Sequence, residues 1–157
     1  MGAIVEVKHL KKYFPTPKGA LHAVDDVSFK IEEGTTLGVV GESGCGKSTL
    51  GRTIIHLQDS TDGQILFDGE DITHVDRKQL SELRHKMQII FQDPFSSLNP
   101  RMTVDDTINE PIRRSGKYSK DEIARETTKL MELVGIDSRM RRAYPHELDG
   151  GRRQRVG

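Results

Sequence analysis

One octapeptide constrains this chain more than any other feature: Gly41-Glu42-Ser43-Gly44-Cys45-Gly46-Lys47-Ser48, three glycines ahead of a lysine and a hydroxyl. The run Thr36-Leu37-Gly38-Val39-Val40 precedes it and is apolar on both faces, as a buried parallel strand is. After it, Leu50, Ile54, Ile55 and Leu57 recur at helical spacing across Lys47 to Leu57. A strand, a glycine-rich loop and a helix start therefore follow one another, which is the context that a phosphate-binding loop requires. Glycines let the backbone wrap a polyphosphate, so that successive amides and the positive end of the next helix point at it. Gly41, Glu42, Ser43, Gly44, Cys45 and Gly46 would form the cradle. Lys47 would sit on the β- and γ-phosphates, the Ser48 hydroxyl would bind magnesium, and Thr49 would reach a neighbouring phosphate oxygen. Cys45 inside such a loop reads as a small packing residue, not a nucleophile.

The rest of the chain is organised around this loop. Ile4 to Leu10 and Val24 to Ile31 alternate apolar with polar residues, most clearly at Val27, Phe29 and Ile31, which predicts half-buried strands of an antiparallel amino-terminal sheet. Pro15, Pro17 and Gly19 predict a surface loop over Phe14 to Ala20. A turn is expected at Glu33-Gly34 and another at Asp62-Gly63, with a strand over Gln64 to Phe67 and a further one at Ile89-Ile90-Phe91. Asp76 with Gln79, and Ser119 with Glu122, are spaced as capping boxes. The first predicts a helix with Leu80, Leu83 and Met87 on one face. The second predicts a helix presenting Ile123, Leu130, Leu133 and Val134 and ending at Gly135. From about Ser96 onward the pattern is mainly helical, and Gly150 to Gly157 reads as the start of another helix.

Composition excludes several classes. A chain of 157 residues fits one domain with one modest core. Lysine plus arginine and aspartate plus glutamate both number 24, so no global field draws it to nucleic acid or anionic lipid. Arg139, Arg141, Arg142, Arg152, Arg153 and Arg155 make a local basic region, yet no aromatic residues interleave as nucleic-acid binding would need, and no nucleic-acid partner is expected. One cysteine rules out an internal disulfide and suits a reducing compartment. No basic region followed by an apolar run opens the chain, and nowhere do about eighteen apolar residues run together. The six histidines lack the paired spacing of a metal site.

A phosphate loop alone does not choose among nucleotide-binding families, but three further segments do. Tyr13 lies upstream, Phe91-Gln92-Asp93-Pro94 downstream, and Leu148-Asp149-Gly150-Gly151-Arg152 near the end. In this order, across nearly the whole chain, they resemble the motifs of the ATP-binding-cassette (ABC) transporter ATPases. Phe95 to Thr103 (FSSLNPRMT) with Tyr144-Pro145-His146-Glu147 resembles the oligopeptide, dipeptide and nickel importer branch.

The resemblance implies an α/β fold of the P-loop NTPase type. An antiparallel β subdomain and RecA-like core would occupy residues 1–95, and the start of a helical subdomain would occupy 96–157. It also implies roles. Tyr13 is similar to the aromatic residue that stacks on adenine, with Val24 beside the base. Gln92 resembles the glutamine that reaches magnesium and orients the attacking water. Asp149, Gly150, Gly151 and Arg152 resemble the signature that contacts ATP held by a second nucleotide-binding subunit, but with Asp149 where the family has serine and Arg152 where it has glutamine.

The implied ligands are ATP and Mg2+. The implied partners are a second such subunit, as a homo- or heterodimer, transmembrane permease subunits facing the segment after Gln92, where Phe95, Leu98 and Met102 suit docking, and, indirectly, a solute-binding protein. The implied place is the cytoplasmic face of a prokaryotic cell membrane. After the signature no apolar strand ending in aspartate and then glutamate follows, nor a later histidine. The expectation is thus the ATP-binding part of a transport ATPase that binds nucleotide without steady hydrolysis by this stretch alone. The competing expectation is a non-hydrolytic nucleotide-binding or interaction module.

Overall fold

The computed structural model describes residues 2–91 and 98–157. The chain divides into two compact units, Met1–Ile89 and Ile90–Gly157. Gln92, Phe95 and the rest of 92–97 lie outside the described residues, so the roles expected of Gln92 and Phe95 have no structural counterpart here.

The first unit is built on a hairpin longer than expected. β1 (Ala3–Thr16) and β2 (Gly19–Glu32) pair antiparallel along their whole length, leaving only Pro17-Lys18 as the turn. The expected loop over Phe14 to Ala20 is therefore largely strand, with Phe14 opposite Leu21 and Pro15 opposite Ala20. Pro15 is tolerated because β3 (Asp62–Phe67), the other neighbour of β1, pairs only as far as Lys11–Asp62, so Pro15 owes no amide to that side. The sheet order is β2-β1-β3-β4, with β4 at Glu70–Asp71. Val27, Phe29 and Ile31 are half-buried positions of β2, as their alternation requires.

Asp62-Gly63 opens β3 and is not a turn. Gly63 has φ 92°, and a Cβ there would lie 2.5 Å from the His9 carbonyl oxygen and 2.6 Å from Leu10 Cα. Only glycine admits the bulged backbone of β1 so closely. At that bulge His9 also has positive φ; its amide donates to Ser28 Oγ at 2.8 Å.

Val7, Leu10, Val24 and Ile65 from the sheet form one core with Leu50, Ile72 and Leu83. Each such side chain contributes about 1.5–3 kcal/mol when fully buried. Leu50 comes from α1 (Lys47–Ile54), which ends earlier than the apolar spacing implied, with Leu57 exposed beyond it. His56 turns to φ 57°, and the Leu57 and Gln58 amides both return to the Arg52 carbonyl, closing the helix. α2 (Arg77–Lys86) has the expected capping box: Asp76 accepts from the Lys78 and Gln79 amides, and the Gln79 side chain accepts from the Asp76 amide.

Two expected strands, the parallel one over 36–40 and the one at 89–91, are not formed. Residues 36–40 and 89–91 are irregular, with Val40 95% and Ile90 96% exposed. Both runs have strand-like composition, but no described strand pairs with either, and a strand is stable only where its amides and carbonyls join a ladder.

The second unit is helical. α3 (Val104–Arg114) begins with a capping box between Thr103 and Asp106, and α4 (Lys120–Leu133) with the expected one between Ser119 and Glu122. Gly135 follows the end of α4, and its amide donates to the Glu132 carbonyl. The buried face of α4 is Thr127 and Met131, with Leu133 81% exposed, so the expected stripe through Leu130 and Leu133 is displaced. The reason is polar: Thr127 Oγ1 donates to Asn109 Oδ1 of α3, and Arg141 donates to Asp105 of α3 at 2.6 Å and to Thr128 at 3.1 Å. These bonds turn the Thr127 side of α4 toward α3, where Met131 packs with Val104, Ile136 and Leu148. Leu98 is buried and Met102 half-buried, so Leu98 is not the exposed docking side chain expected of it. α5 (Gly150–Val156) closes the chain. No helix among the described residues is long and apolar enough to cross a membrane.

Candidate nucleotide-binding site

The phosphate-loop residues 41–46 form an arch, exposed over 41–45, leading into α1. Its amino-terminal end is drawn in by Lys47, whose ammonium donates to the Gly41 carbonyl at 2.8 Å and the Glu42 carbonyl at 2.6 Å. The Cys45 amide returns to the Glu42 carbonyl at 3.3 Å, tightening the turn. Cys45 is exposed, with its sulfur 3.6 Å from Lys47 Nζ, so the packing role expected for it does not hold; the side chain points along the arch instead of into the core.

Gly46 is the N-cap of α1, with φ 92°. A Cβ on it would lie 2.0 Å from the Ala23 carbonyl oxygen of β2. That contact requires glycine twice, by backbone conformation and by space, and it fixes the carboxy-terminal end of the loop against the hairpin. The first intrahelical bond runs from the Leu50 amide to the Gly46 carbonyl at 2.8 Å. The amides of Lys47, Ser48 and Thr49 thus belong to the first turn, where no intrahelical acceptor exists and the helix dipole is positive. Loop, ammonium and first-turn amides gather at one end of one helix, an arrangement suited to a polyanion.

Ser48 is exposed at the start of α1. It supplies one neutral oxygen, and the described residues contain no group of three or more His, Cys, Asp or Glu side chains able to hold a metal by themselves. This donor set fits magnesium, which keeps several waters and takes further oxygens from phosphates, and does not fit a metal held wholly by protein.

Tyr13 stands on the same hairpin, opposite His22, the residue that precedes Ala23. Its ring stacks on His22, directly opposite across the β1–β2 ladder, with centroids 3.8 Å apart and planes 13° apart. Its hydroxyl donates to Asp25 Oδ1. That bond, with the negative charges of Asp25, Asp62 and Asp26 around it, pushes the phenol up to about 12. The same bond is the largest cause holding the Asp25 carboxyl below its ordinary value. Val24, expected beside a base, is instead 4% exposed in the core, with a methyl 4.0 Å from where a Gly46 Cβ would be. It supports the junction of hairpin and loop and has little surface left for a ligand, because β2 turns this position inward.

His22 and Asp25 were not among the residues singled out from sequence. Fixing a two-residue turn at Pro17-Lys18 supplies the missing signal, since it sets Tyr13 opposite His22.

In the second unit Asp149 is the N-cap of α5: Oδ1 accepts the Arg152 amide at 2.8 Å, and Oδ2 lies 3.3 Å from Arg152 Nε. The backbone hydrogen bond from Arg152 leads the causes that lower the Asp149 carboxyl, with the Arg152 and Arg155 charges adding to it. Gly150 and Gly151 form the first turn of the helix. The two departures from the usual signature therefore form one cap-and-pair unit.

Comparison with known proteins agrees with these motifs. The family model for "ABC transporter" matches residues 24–157. Oligopeptide transport ATP-binding protein OppF of Bacillus subtilis is 53% identical over 157 residues, covering 98% of this chain and 51% of that protein. Oligopeptide transport ATP-binding protein AppF of the same organism is 46% identical, covering 98% and 49%. The chain thus spans about half the length of these curated relatives. Among solved structures, the dimeric post-hydrolysis state of the ATP-binding cassette MJ0796 bound to ADP and Pi superposes with a TM-score of 0.81 at 26% identity, covering 97% of this chain and 66% of that one. A phosphate loop set against an antiparallel hairpin, a capped glycine pair in a helical unit and a family match over residues 24–157 lead to one conclusion: this chain belongs to the ABC transporter family.

Proposed function

We propose that the chain is the ATP-binding part of an importer subunit whose complete form couples ATP binding and hydrolysis to uptake of oligopeptides, dipeptides or a related solute. The observation that carries the nucleotide assignment is the junction at Gly46. There the loop that would cradle the phosphates abuts the hairpin bearing the candidate base-stacking ring. Phosphates would lie on the amides of Gly44 to Thr49, with Lys47 exchanging its loop carbonyls for phosphate oxygens. Such charge-assisted contacts are about twice as strong as neutral ones. Ser48, with Gln92, would hold magnesium, which supplies charge neutralisation at the phosphates when bound. Tyr13 would orient the base.

The peptide assignment rests on the names of the relatives, OppF and AppF, and on the Phe95 to Thr103 segment that resembles their branch. Permease subunits would dock at the segment following Gln92, and Asp149 to Arg152 would face ATP on a second nucleotide-binding subunit at the cytoplasmic face of the membrane. Uptake of a labelled oligopeptide by cells carrying the complete subunit tests the reading. Uptake should depend on that subunit and disappear with Lys47→Ala, whereas uptake indifferent to the substitution refutes the transport role.

A further inference from the structure

The helix that follows the phosphate loop is closed by a histidine. α1 has eight residues, of which Leu50 and Thr53 are buried, and its first turn carries the amides of Lys47, Ser48 and Thr49. At its other end the Leu57 amide donates to the Arg52 carbonyl at 2.9 Å, and the His56 amide donates to the Thr53 carbonyl at 3.2 Å. This nested pair is the Schellman closure, which needs the residue before its last in the left-handed region and is usually built on glycine. Here that residue is His56, with φ 57°. The backbone that stops the helix therefore also sets the direction of an imidazole.

The ring is turned inward. His56 Nε2 is buried and has no hydrogen-bond partner among the described residues. The side chain lines a cavity of about 190 Å³ with Asp59, Thr73, His74, Val75 and Leu80. The charged or titratable groups facing it are Asp59 from its own loop and His74 from the segment after β4; α2 contributes Leu80, and Arg52 of α1 is exposed. A neutral imidazole needs a hydrogen on one nitrogen, whereas the imidazolium carries one on both. Protonation would thus leave a charged N–H at Nε2 buried without an acceptor, which the neutral ring avoids. Burial is the largest cause holding the His56 ring below its ordinary value; Asp59 opposes it, and the His74 charge adds to it.

We propose that His56 is a pH-sensitive positioning residue: its neutral ring holds the last turn of α1 closed, and its protonation opens that turn and weakens polyphosphate binding at the first. The affinity half of this proposal rests on the ATP-binding reading above; the stability half stands without it. A helix of two turns cannot spare one, because a single turn fixes many dihedrals for few hydrogen bonds. Opening the end at His56 therefore loosens the amides at Lys47 to Thr49 as well. The sign follows from the inward ring. Its contribution is complete above about pH 6.5, the ordinary histidine value, and is lost as pH falls from there through the lower value of the folded ring. His74 and Asp59 act on it in opposite senses, since a cation beside the ring favours its neutral form and an anion favours its charged form.

Urea unfolding and calorimetric titration with ATP and magnesium, each on the 157-residue chain between about pH 7.5 and about pH 5.5, test this. His56→Asn is the reference, because asparagine accepts the left-handed conformation and does not titrate. A terminal phosphate itself titrates near about pH 6, so the readout is the difference between the two proteins. At about pH 7.5 they should bind ATP alike, and at about pH 5.5 the unaltered chain should bind about two- to tenfold more weakly than the variant, the range for loss of one helix-end motif. Its urea midpoint should fall below that of the variant over the same interval. His74→Gln should shrink this pH dependence and Asp59→Asn should enlarge it, opposite shifts that a merely steric role does not produce. Equal pH dependence in the unaltered chain and His56→Asn overturns the proposal, as do shifts of one sign in His74→Gln and Asp59→Asn. If either occurs while Lys47→Ala still abolishes ATP binding, the role of His56 is refuted and the phosphate-loop reading stands. ATP affinity indifferent to Lys47→Ala refutes that reading and the affinity half with it, while the urea midpoints still decide whether His56 closes the helix.

Discussion

Asp149 binds Arg152 twice, once through the Arg152 backbone amide at 2.8 Å and once through its guanidinium at 3.3 Å. The carboxylate at this position therefore caps the helix, and Arg152 offsets its charge. A serine can also cap, whereas alanine cannot. Asp149→Ser is accordingly expected to leave the thermal midpoint of the chain nearly unchanged, and Asp149→Ala to lower it. If the complete subunit works as the proposed dimer, Arg152→Gln alone should impair ATP hydrolysis more than Arg152→Gln combined with Asp149→Ser, because the single change would leave the carboxylate unpaired beside the partner's phosphate. A double-mutant cycle on the ATPase rate measures this, and strictly additive effects would mean that the two positions act independently.

Gly46 makes a second, purely steric prediction. Alanine there would need φ near 92° and would set its methyl 2.0 Å from the Ala23 carbonyl oxygen. Backbone strain of this kind costs on the order of 1–3 kcal/mol, and the clash with backbone adds to it. Gly46→Ala should lower the urea midpoint by a corresponding amount, whereas alanine at Gly51, which meets nothing within 4 Å, should raise it slightly or leave it unchanged.

The Tyr13–Asp25 bond is expected to be visible in alkali. The Tyr13 phenol is pushed up to about 12 by donating to the carboxylate, whereas an ordinary tyrosine ionises near about 10. A group raised in the folded state stabilises fully below its unfolded value and loses that contribution as pH rises through the folded one. Stability from this bond should thus be complete below about pH 10 and disappear toward about pH 12. In a spectrophotometric titration the Tyr13 phenol should ionise late, and Asp25→Ala should bring it back toward about 10. A late tyrosine that persists in Asp25→Ala would mean that the bond is not the cause.

Local signals in the sequence translated well into structure. The capping pairs Asp76–Gln79 and Ser119–Glu122 form as their spacing implies, because a capping box is closed by residues three apart and needs no distant partner. The alternation of Val27, Phe29 and Ile31 also identifies its strand. What was not legible depends on distant partners. The apolar runs 36–40 and 89–91 have strand composition, but no described strand pairs with them. Periodicity marked Leu133 as buried, yet the Thr127–Asn109 and Arg141–Asp105 bonds orient α4 otherwise. At the candidate site, Lys47 and Gly46 followed from the motif. His22 and Asp25 depended on the hairpin register, which composition alone leaves open because Pro15 and Pro17 read as a longer loop.

Binding of ATP through the phosphate loop is tested by the ATP affinity of Lys47→Ala beside that of the unaltered chain. Lys47 bridges the Gly41 and Glu42 carbonyls at 2.8 and 2.6 Å, so it stands at the mouth of the arch that would receive the phosphates. Loss of a hydrogen bond to a charged group costs about 1.5–3 kcal/mol, which is roughly a ten- to more than hundredfold fall in affinity. Isothermal titration with ATP and magnesium should therefore give saturable binding to the chain and binding at least tenfold weaker to the variant, with unchanged circular dichroism. Equal affinities in the two proteins would contradict the assignment of Gly41 to Thr49 as the nucleotide site.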